Sequence, residues 1–340
     1  MWSFSNLLPS MTECSTLTET THFLRTFVAK SKITSLAVHL GAVYITADAS
    51  ITHATACLRY DSPDLLDAFH ISEGRHEWTL GWTYGKRAKG RYMIELRLPP
   101  RMLECVSFTA PGVMSISSGV VASSPSVHLS IHSSGPGQLI IQENQLVARG
   151  LTLWHTGSGS VQLISPISVD VVDITSRGRG IVAVVASTLT TSDFSIANHS
   201  YGTIYLKAPT HVFADDVRVV NDSHGAVNVA FDSLTTDQLT LVVGSSGPIF
   251  MSIAADLSVA MIDTRMSSSG SLQLTCSEDG STCDRHQIAM SGSGDLCTNV
   301  SAVSTQTNVS GSGCVRDIAP CTLQSFDRIK SLPLRRLLAA

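Results

Sequence analysis

A small glycine-containing turn recurs about every 22 residues along this 340-residue sequence, and its period constrains the fold more than any other feature. The phrase Ser-Gly-Ser-Gly occurs at Ser291–Gly294 and again at Ser310–Gly313, and looser copies lie upstream. Each copy precedes a short stretch in which apolar and polar residues alternate. One glycine from each copy gives the series Gly119, Gly137, Gly159, Gly180, Gly202, Gly225, Gly247, Gly270, Gly294 and Gly313, with gaps of 18 to 24 residues.

Short alternating stretches that repeat every ~20 to 25 residues are typical of a β-solenoid. A single coil cannot bury its inward face, but stacked coils pair each strand with its equivalents above and below. The sequence therefore predicts an all-β fold, a right-handed parallel β-helix with coils of about 22 residues, preceded by a short N-terminal β region. A β-sandwich is the structural alternative, because turn signals every ~8 to 12 residues fit that fold as well.

The repeated glycines are predicted to form corners of the coils, because glycine adopts a positive φ at little cost. Serine and aspartate beside them can bond nearby backbone groups. The turn residues predicted on this basis are Gly159, Gly180, Gly202, Gly225, Gly247, Gly270, Gly294 and Gly313.

Four segments are predicted along the chain. Strand-like alternation begins at Ile33–Leu40, and the stretches Trp78–Tyr84 and Arg91–Leu98 are expected to form a hairpin. The repeat fades after Cys321. The predicted segments are an N-terminal tail (1–32), an N-terminal β region with the first strands of the solenoid (33–113), β-solenoid repeats with a cysteine-rich C-terminal end (114–322) and a second tail (323–340).

The charge balance argues against nucleic acid as a partner. The net charge is -4 and only 15% of the residues are charged, so the sequence has no basic footprint. It has no apolar run of about 18 residues, and no transmembrane segment is predicted. Met1–Pro9 lacks a basic segment and a long apolar run, so no signal peptide is recognisable.

Cysteines and glycosylation sequons favour an extracellular or cell-surface location. Clustering of cysteines in a serine- and threonine-rich region predicts disulfides, although their connectivity stays open. The disulfide candidates are Cys276, Cys283, Cys297, Cys314 and Cys321. Asn-x-Ser sequons supply four glycosylation candidates. They are Asn198, Asn221, Asn299 and Asn308.

The phrase Ser-Gly-Ser-Gly-Asp at Ser291–Asp295, repeated in a chain rich in Ser, Thr and Val, resembles the auto-transporter adhesin head GIN domain family. It is also similar to the neighbouring family of adhesin-like β-solenoid domains of unknown function. Ile33–Thr46 and Tyr92–Ile116 resemble the first strands of such domains, so the resemblance covers roughly residues 33–315. It implies a right-handed parallel β-helix, commonly extracellular or envelope-associated, with no catalytic residues to carry over. The cysteine-rich C-terminal quarter departs from the bacterial pattern.

Two candidate sites for chemistry are weaker than their structural alternatives. One set follows the order of motifs in polygalacturonases: Asp215-Asp216, His224-Gly225 and Arg328. Hydrolysis of a glycoside needs two carboxylates that converge on the same bond. Adjacent residues of a strand, such as Asp215 and Asp216, are instead expected to point to opposite sides. A second set could bind calcium between coils, yet each member also fits as a turn residue. It comprises Asp170, Asp193, Asp216, Asp237 and Asp256.

These observations predict a non-enzymatic structural or adhesion-type surface module that binds a glycan or a protein through its solenoid faces. No catalytic residue, cofactor or metal site is expected. The alternatives are a divergent carbohydrate-active β-helix enzyme, either a lyase or a glycosidase, and an intracellular scaffold. The oligomeric state, the ligand and the compartment stay open.

Overall fold

A computed structural model describes residues 23–86, 89–277 and 281–317, which are almost entirely β-structure. One short helix, α1, interrupts the strands. In chain order the elements are β1 (Phe23–Val28), β2 (Ser35–Val38), β3 (Val43–Ala47), β4 (Thr55–Tyr60), α1 (Pro63–Ala68), β5 (Phe69–Glu73), β6 (Glu77–Trp82), β7 (Tyr92–Leu98), β8 (Cys105–Phe108), β9 (Val113–Ile116), β10 (Ser124–Ser133), β11 (Gln138–Gln142), β12 (Leu146–His155), β13 (Ser160–Ile164), β14 (Ile167–Ser176), β15 (Ile181–Val185), β16 (Leu189–Thr190), β17 (Asp193–Asn198), β18 (Thr203–Asn221), β19 (Val227–Val243), β20 (Ile249–Ile253), β21 (Leu257–Met266), β22 (Leu272–Thr275), β23 (Ser281–Met290), β24 (Leu296–Thr298), β25 (Ala302–Val309) and β26 (Val315–Asp317).

The strands stack in parallel into a solenoid whose coils present three faces. Face 1 runs in the order β6, β2, β8, β10, β12, β14, β17, the C-terminal parts of β18 and β19, β21, β23 and β25. Face 2 runs in the order β7, β3, β9, β11, β13, β15, the N-terminal parts of β18 and β19, β20, β22, β24 and β26. Face 3 consists of short pairings at the start of β12, β14, β21 and β23, in β16, and in the middle of β18 and β19.

The pairing register confirms the predicted parallel β-solenoid and its period. From Leu129 onward, partners on face 1 are 19 to 24 residues apart in sequence, as in Leu129–Leu151 and Phe194–Val217. Side chains alternate between the interior and the solvent, so apolar residues of successive coils lie above one another. On face 2 the fully buried series is Leu139, Val161, Val182, Ile204, Val227, Ile249, Leu272 and Leu296. Burial of each such side chain contributes about 1.5–3 kcal/mol, which makes these columns the main source of stability.

The N-terminal end of the solenoid combines parallel and antiparallel pairing. β1 pairs with β4 and β4 with β7, both antiparallel, and β1 lies within the stretch predicted as a tail. The expected hairpin between Trp78–Tyr84 and Arg91–Leu98 is wrong. β6 instead pairs with β5 and β2 on face 1, and β7 pairs with β4 and β3 on face 2. Alternation identified both strands but not their partners: β6 forms a local antiparallel pair with β5, and the other partners, β2, β3 and β4, come from earlier in the chain.

The predicted glycines do mark one corner of each coil, the segment that leads from face 1 to face 2. The expected reason is wrong: within the described ranges, the glycines with positive φ are Gly85, Gly90, Gly112 and Gly119. The corner glycines are instead required by close approach between coils. A Cβ on Gly225 would overlap the carbonyl oxygen of Gly202, and a Cβ on Gly202 would overlap that of Gly180. The same holds through the stack from Gly159 to Gly313.

Gly119, the first glycine of the series, does not belong to this stack. Its φ is 85°, and its N–H donates to the carboxylate of Glu143 at 2.8 Å. The residue that precedes Gly137 in the stack is Gly112, whose carbonyl accepts a hydrogen bond from Gln138. Gly119 therefore fits the spacing of the repeat in sequence but has a different structural role from the stacked glycines.

The steric account predicts the effect of a single methyl group at a corner. We expect Gly225→Ala to lower the free energy of unfolding by about 1–3 kcal/mol, since the new Cβ must push apart two stacked backbones. Gly74→Ala is the matched control, because a Cβ there would meet its nearest atom at an ordinary 3.7 Å. Chemical denaturation followed by circular dichroism checks both variants, and equal stability for the two would contradict the crowding argument.

Candidate functional site

A row of large exposed side chains follows the glycine corner across five successive coils. In most coils the two outward positions of this corner hold small residues, as in Thr156 and Ser158 or Ser310 and Ser312. In the central coils they hold larger or charged residues instead: Arg177 and Arg179, His199 and Tyr201, and Asp222 and His224. Together with two residues at the adjoining edge of face 1, four of them form what we call the ring–arginine row. Its members are His132, Trp154, Arg177, Arg179, Tyr201 and His224.

The strand register places the first two members of the row. His132 and Trp154 are direct partners near the ends of β10 and β12, so they lie one above the other on face 1. Their rings stack with centroids 5.6 Å apart and an interplanar angle of 30°. The indole of Trp154 is 44% exposed because its strand position points away from the core. The next coil places a guanidinium group over the indole: the Cζ of Arg177 lies 5.6 Å from its centroid.

The row continues along the corner through a second cation–ring contact. The Cζ of Arg179 lies 5.6 Å from the ring of Tyr201, which is 60% exposed. That ring in turn stacks on His224, with centroids 4.9 Å apart and an angle of 15°. Each cation–ring contact contributes ~0.5–1 kcal/mol at an exposed site. The contacts therefore order side chains that would otherwise be mobile in solvent.

Arg177 and Arg179 differ from the paired arginines of the solenoid in their electrostatic surroundings. Arg97 and Arg265 bond the carboxylates of Glu95 and Asp263. Across the described ranges, neither Arg177 nor Arg179 has a carboxylate within salt-bridge distance. A nearby acid, Asp222, lies 3.5 Å from Nδ1 of His199. The two guanidinium groups therefore keep donors available for an external anion.

A buried polar column lines the inner side of the same corner. Five partners in register, Ser133, His155, Ser176, Asn198 and Asn221, follow one another in successive coils. All are at most 1% exposed. Burial lowers the pKa of His155, because desolvation penalises the imidazolium, so this ring is neutral at physiological pH. It packs beneath the row and against Gly180.

The column explains why two of the predicted glycosylation sites are unsuitable in the folded chain. Nδ2 of Asn198 donates to the carbonyl of Gly202 at 2.8 Å. Nδ2 of Asn221 donates to the carbonyls of Gly225 and Pro248, each at 2.9 Å. A glycan on either nitrogen would have to occupy the core of the corner. Each asparagine bonds the turn of its own coil, and Asn221 also bonds Pro248 in the next coil.

The two remaining sequons differ from each other. Asn299 is half-buried, and its amide exchanges hydrogen bonds with the backbone N–H and C=O of Cys276 at 2.8 and 2.6 Å. Asn308 is exposed on β25. A glycan on Asn198, Asn221 or Asn299 would displace the side-chain hydrogen bonds described above. Asn308 is the candidate best placed to carry a glycan, because its side chain is exposed.

The predicted disulfides are not formed among the described cysteines. The thiol of Cys276 donates to the carbonyl of Ala255 at 3.6 Å, and that of Cys283 to the carbonyl of Arg285 at 3.3 Å. Burial raises the pKa of both thiols, because desolvation penalises the thiolate. Cys314 contacts Asp295 at 3.0 Å, and Cys297 lies opposite Arg316 in the register of face 2. Cys321 lies outside the described residues.

The acidic candidates do not form the expected series. Asp193 and Asp216 are exposed partners in register on face 1. The partner of Asp193 in the preceding coil is Val171, and that of Asp216 in the following coil is Gln238. In the part of the chain described, no group of three or more His, Cys, Asp or Glu residues could hold a metal ion.

Asp215 and Asp216 do not point to opposite sides as strand alternation predicted. Both are exposed, because the chain bends from face 3 to face 1 and both backbone N–H groups donate to the carbonyl of Ser192. His224 belongs to the ring–arginine row at another corner, and Arg328 lies outside the described residues. The described members of the polygalacturonase-like set therefore do not gather into one site.

The row was not predicted from the sequence. Arg177-Gly178-Arg179-Gly180 carried the available signal, because this copy alone puts arginine where the Ser-Gly-Ser-Gly copies put serine. The stacking partners come from the coils on either side, and a pattern within one copy does not show them.

Comparisons with known proteins bear on the fold only. No family model matches the chain, and no curated protein matches it, so the resemblance to the GIN domain family stays a prediction. A “putative adhesin” from Bacteroides fragilis is 15% identical over 88% of this chain and 98% of its own, with a TM-score of 0.39. A “putative adhesin” from Parabacteroides merdae is 11% identical over 88% and 96%, with a TM-score of 0.42. A “putative lipid binding protein” from Parabacteroides distasonis is 13% identical over 87% and 97%, also with a TM-score of 0.42. The solenoid assignment rests on the strand pairing of this chain itself.

No helix among the described residues is long and apolar enough to span a membrane.

The buried asparagine column generates a stability prediction. Asn221→Ala should lower the free energy of unfolding by about 1–3 kcal/mol, because it removes the amide donor to the Gly225 carbonyl and one of the two donors to the Pro248 carbonyl, which keeps the N–H of Val227 at 3.0 Å. Asn308→Ala removes an exposed side chain of the same type and should change stability by less than about 0.5 kcal/mol. Thermal and chemical denaturation measure the difference, and a neutral Asn221→Ala would show that the corner does not depend on this amide.

Proposed function

We propose that this chain is a non-enzymatic surface-binding module that uses its solenoid as a rigid scaffold and the ring–arginine row as its binding surface. The observation that carries the proposal is a pair of contact runs, one from His132 through Trp154 to Arg177 and one from Arg179 through Tyr201 to His224. These contacts hold the rings and guanidinium groups in place on neighbouring coils. The ligand class is a glycan or a protein surface. Binding constellations on regular scaffolds hold their geometry better than those on loops, and here strand register fixes two of the rings.

The chemistry of the row favours binding over bond cleavage. Exposed tryptophan, tyrosine and arginine are the residue types that contribute most at binding interfaces. Cleavage of a glycosidic bond by the common mechanism needs two carboxyl groups on opposite sides of the bond. The row presents rings and cations, and the carboxylates Asp193 and Asp216 lie at the opposite edge of face 1 from Trp154 and its register partners.

We also propose an extracellular or cell-surface location. Asn308 is exposed and lies in an Asn-x-Ser sequon, which suits glycan attachment in the secretory pathway. The side-chain contacts of Asn198, Asn221 and Asn299 favour a structural role for those residues.

Removal of either ring should weaken binding without unfolding the chain. We expect Trp154→Ala and Tyr201→Ala each to weaken binding to a captured glycan or protein ligand by about tenfold or more, which corresponds to ~1.4 kcal/mol. Immobilised panels of glycans and extracellular proteins, followed by titration of each hit, provide the measurement.

Phe213→Ala is the matched control for both variants. Phe213 is 56% exposed, between Trp154 and Tyr201 in exposure, but it lies on face 3. Loss of binding in the Phe213 variant alone, with both row variants unchanged, would move the binding surface to face 3 and overturn the proposal.

A further inference from the structure

We propose that the ring–arginine row binds an acidic polysaccharide, a chain of sugars bearing carboxylate or sulfate groups, laid along the solenoid axis. This inference rests on the proposed function and specifies its ligand. Four observations carry it: the combination of rings with unpaired guanidinium groups, the spacing of the rings, the length of the row and the small residues that border it.

The first observation concerns the chemistry of the row. Aromatic rings such as Trp154 and Tyr201 offer flat apolar faces on which the C–H face of a sugar ring stacks. Arg177 and Arg179 supply planar forks of N–H donors, whose geometry matches a carboxylate or a sulfate. Because each guanidinium is held near a ring, less side-chain entropy is lost when it binds an anion. A neutral glycan would contact the rings but form no ion pair with the two arginines, whereas an acidic glycan contacts the rings and pairs with the arginines.

The second observation is the spacing along the axis. Trp154 and Tyr201 belong to coils two steps apart, which is ~10 Å along the axis at the stacking distance of β-strands. This is close to the length of one disaccharide unit in an extended polysaccharide. Arg177 and Arg179 belong to the coil between the two rings. Along the axis the order is therefore ring, cation pair and ring, with Tyr201 displaced sideways from Trp154, because the Trp154 column continues through Thr175 and Ala197 and Tyr201 lies four residues beyond Ala197.

The third observation is the extent and openness of the row. From His132 to His224 it covers four coil steps, or ~19 Å, in a single direction. The outward residues that continue the Trp154 column on face 1 are Thr175 and Ala197, both short. They form a shelf beside the corner. A shelf without end walls accommodates an internal stretch of a polymer.

The two arginines of the row favour an anionic ligand over a cationic one. Asp222 occupies an outward corner position in the coil of His224; its Oδ2 lies 3.5 Å from Nδ1 of His199, and neither Arg177 nor Arg179 is within salt-bridge distance of it. Arg177 and Arg179 place two positive charges side by side on this corner, in a chain whose net charge is -4. Corner residues beyond the row, such as Ser291 and Ser293, are small and uncharged. A folded protein partner would need a broader surface, on the order of 800 Å² from each side.

The test is a binding titration of the full chain with pairs of polysaccharides that differ only in charge. Polygalacturonate against its methyl ester isolates carboxylates, and dextran sulfate against dextran isolates sulfates. We expect at least tenfold tighter binding to the charged member of at least one pair. That affinity should fall as the salt concentration rises from about 50 to 300 mM, because exposed ion pairs are screened. The pair that responds identifies the anion.

Matched variants connect this preference to the row. Arg177→Gln combined with Arg179→Gln should lower affinity for the acidic chain at least tenfold and remove the preference over the neutral chain. Arg149→Gln combined with Arg285→Gln makes the same change in net charge at exposed sites outside the row and should leave binding unchanged. Equal losses in both double variants would mean that only overall charge matters and would overturn the inference. Circular dichroism and melting curves confirm that the variants remain folded.

The outcomes also separate this inference from the proposed function. One outcome is equal binding to charged and neutral chains, which is lost in Trp154→Ala but kept in the double Arg177/Arg179 variant. That outcome overturns the acidic ligand but is consistent with the proposed binding module. Binding to a protein ligand but to no polysaccharide, if it depends on Trp154, also overturns the acidic ligand and is consistent with the binding module. Binding that is unchanged by both the ring and the arginine variants, or no binding to any ligand tested, overturns both proposals.

Discussion

The close stacking of backbones at the glycine corner is the constraint on which the rest of this structure depends. Where Gly202, Gly225 and their equivalents lie above one another, each Cα meets the carbonyl oxygen of the coil before it, and no side chain fits between them. The corner thus fixes where every coil turns. Once that position is fixed, the strands on faces 1 and 2 are in register, and the apolar columns of the core follow from simple alternation.

The same constraint gives the corner two different sides. Inside it, Asn198 and Asn221 use their amides to bond the carbonyls that the turn leaves without partners. Outside it, the residues that flank the glycines are free of packing requirements, so they can be small, as at Ser310, or large, as at Arg179 and Tyr201. The ring–arginine row is an outer feature built on a geometry that the inner column stabilises. Substitutions at these outer positions are therefore expected to cost little in folding.

Much of the fold could be predicted from the sequence, because a repeated steric requirement leaves a repeated residue type. The period, the parallel stacking and the corner positions followed from the glycines, although their cause is crowding and not positive φ. The hairpin predicted between β6 and β7 is wrong because β6 pairs antiparallel with the strand before it, β5, and β7 pairs with the earlier strands β3 and β4. The sequons at Asn198 and Asn221 misled because a motif of three residues does not report burial. The row escaped detection because its contacts join residues of different coils, such as Arg177 and Trp154.

The arrangement of strands at the N-terminal end has a consequence for how the chain assembles. β2 lies in space between β6 and β8, and β3 between β7 and β9, although β2 and β3 precede all four in sequence. The coil that contains β2 and β3 is therefore complete on both sides only after the chain has been synthesised to β9. Every later coil can instead dock on a finished template as it emerges from the ribosome. Assembly of this solenoid has one step that must wait for distant sequence, and it lies at the beginning of the chain.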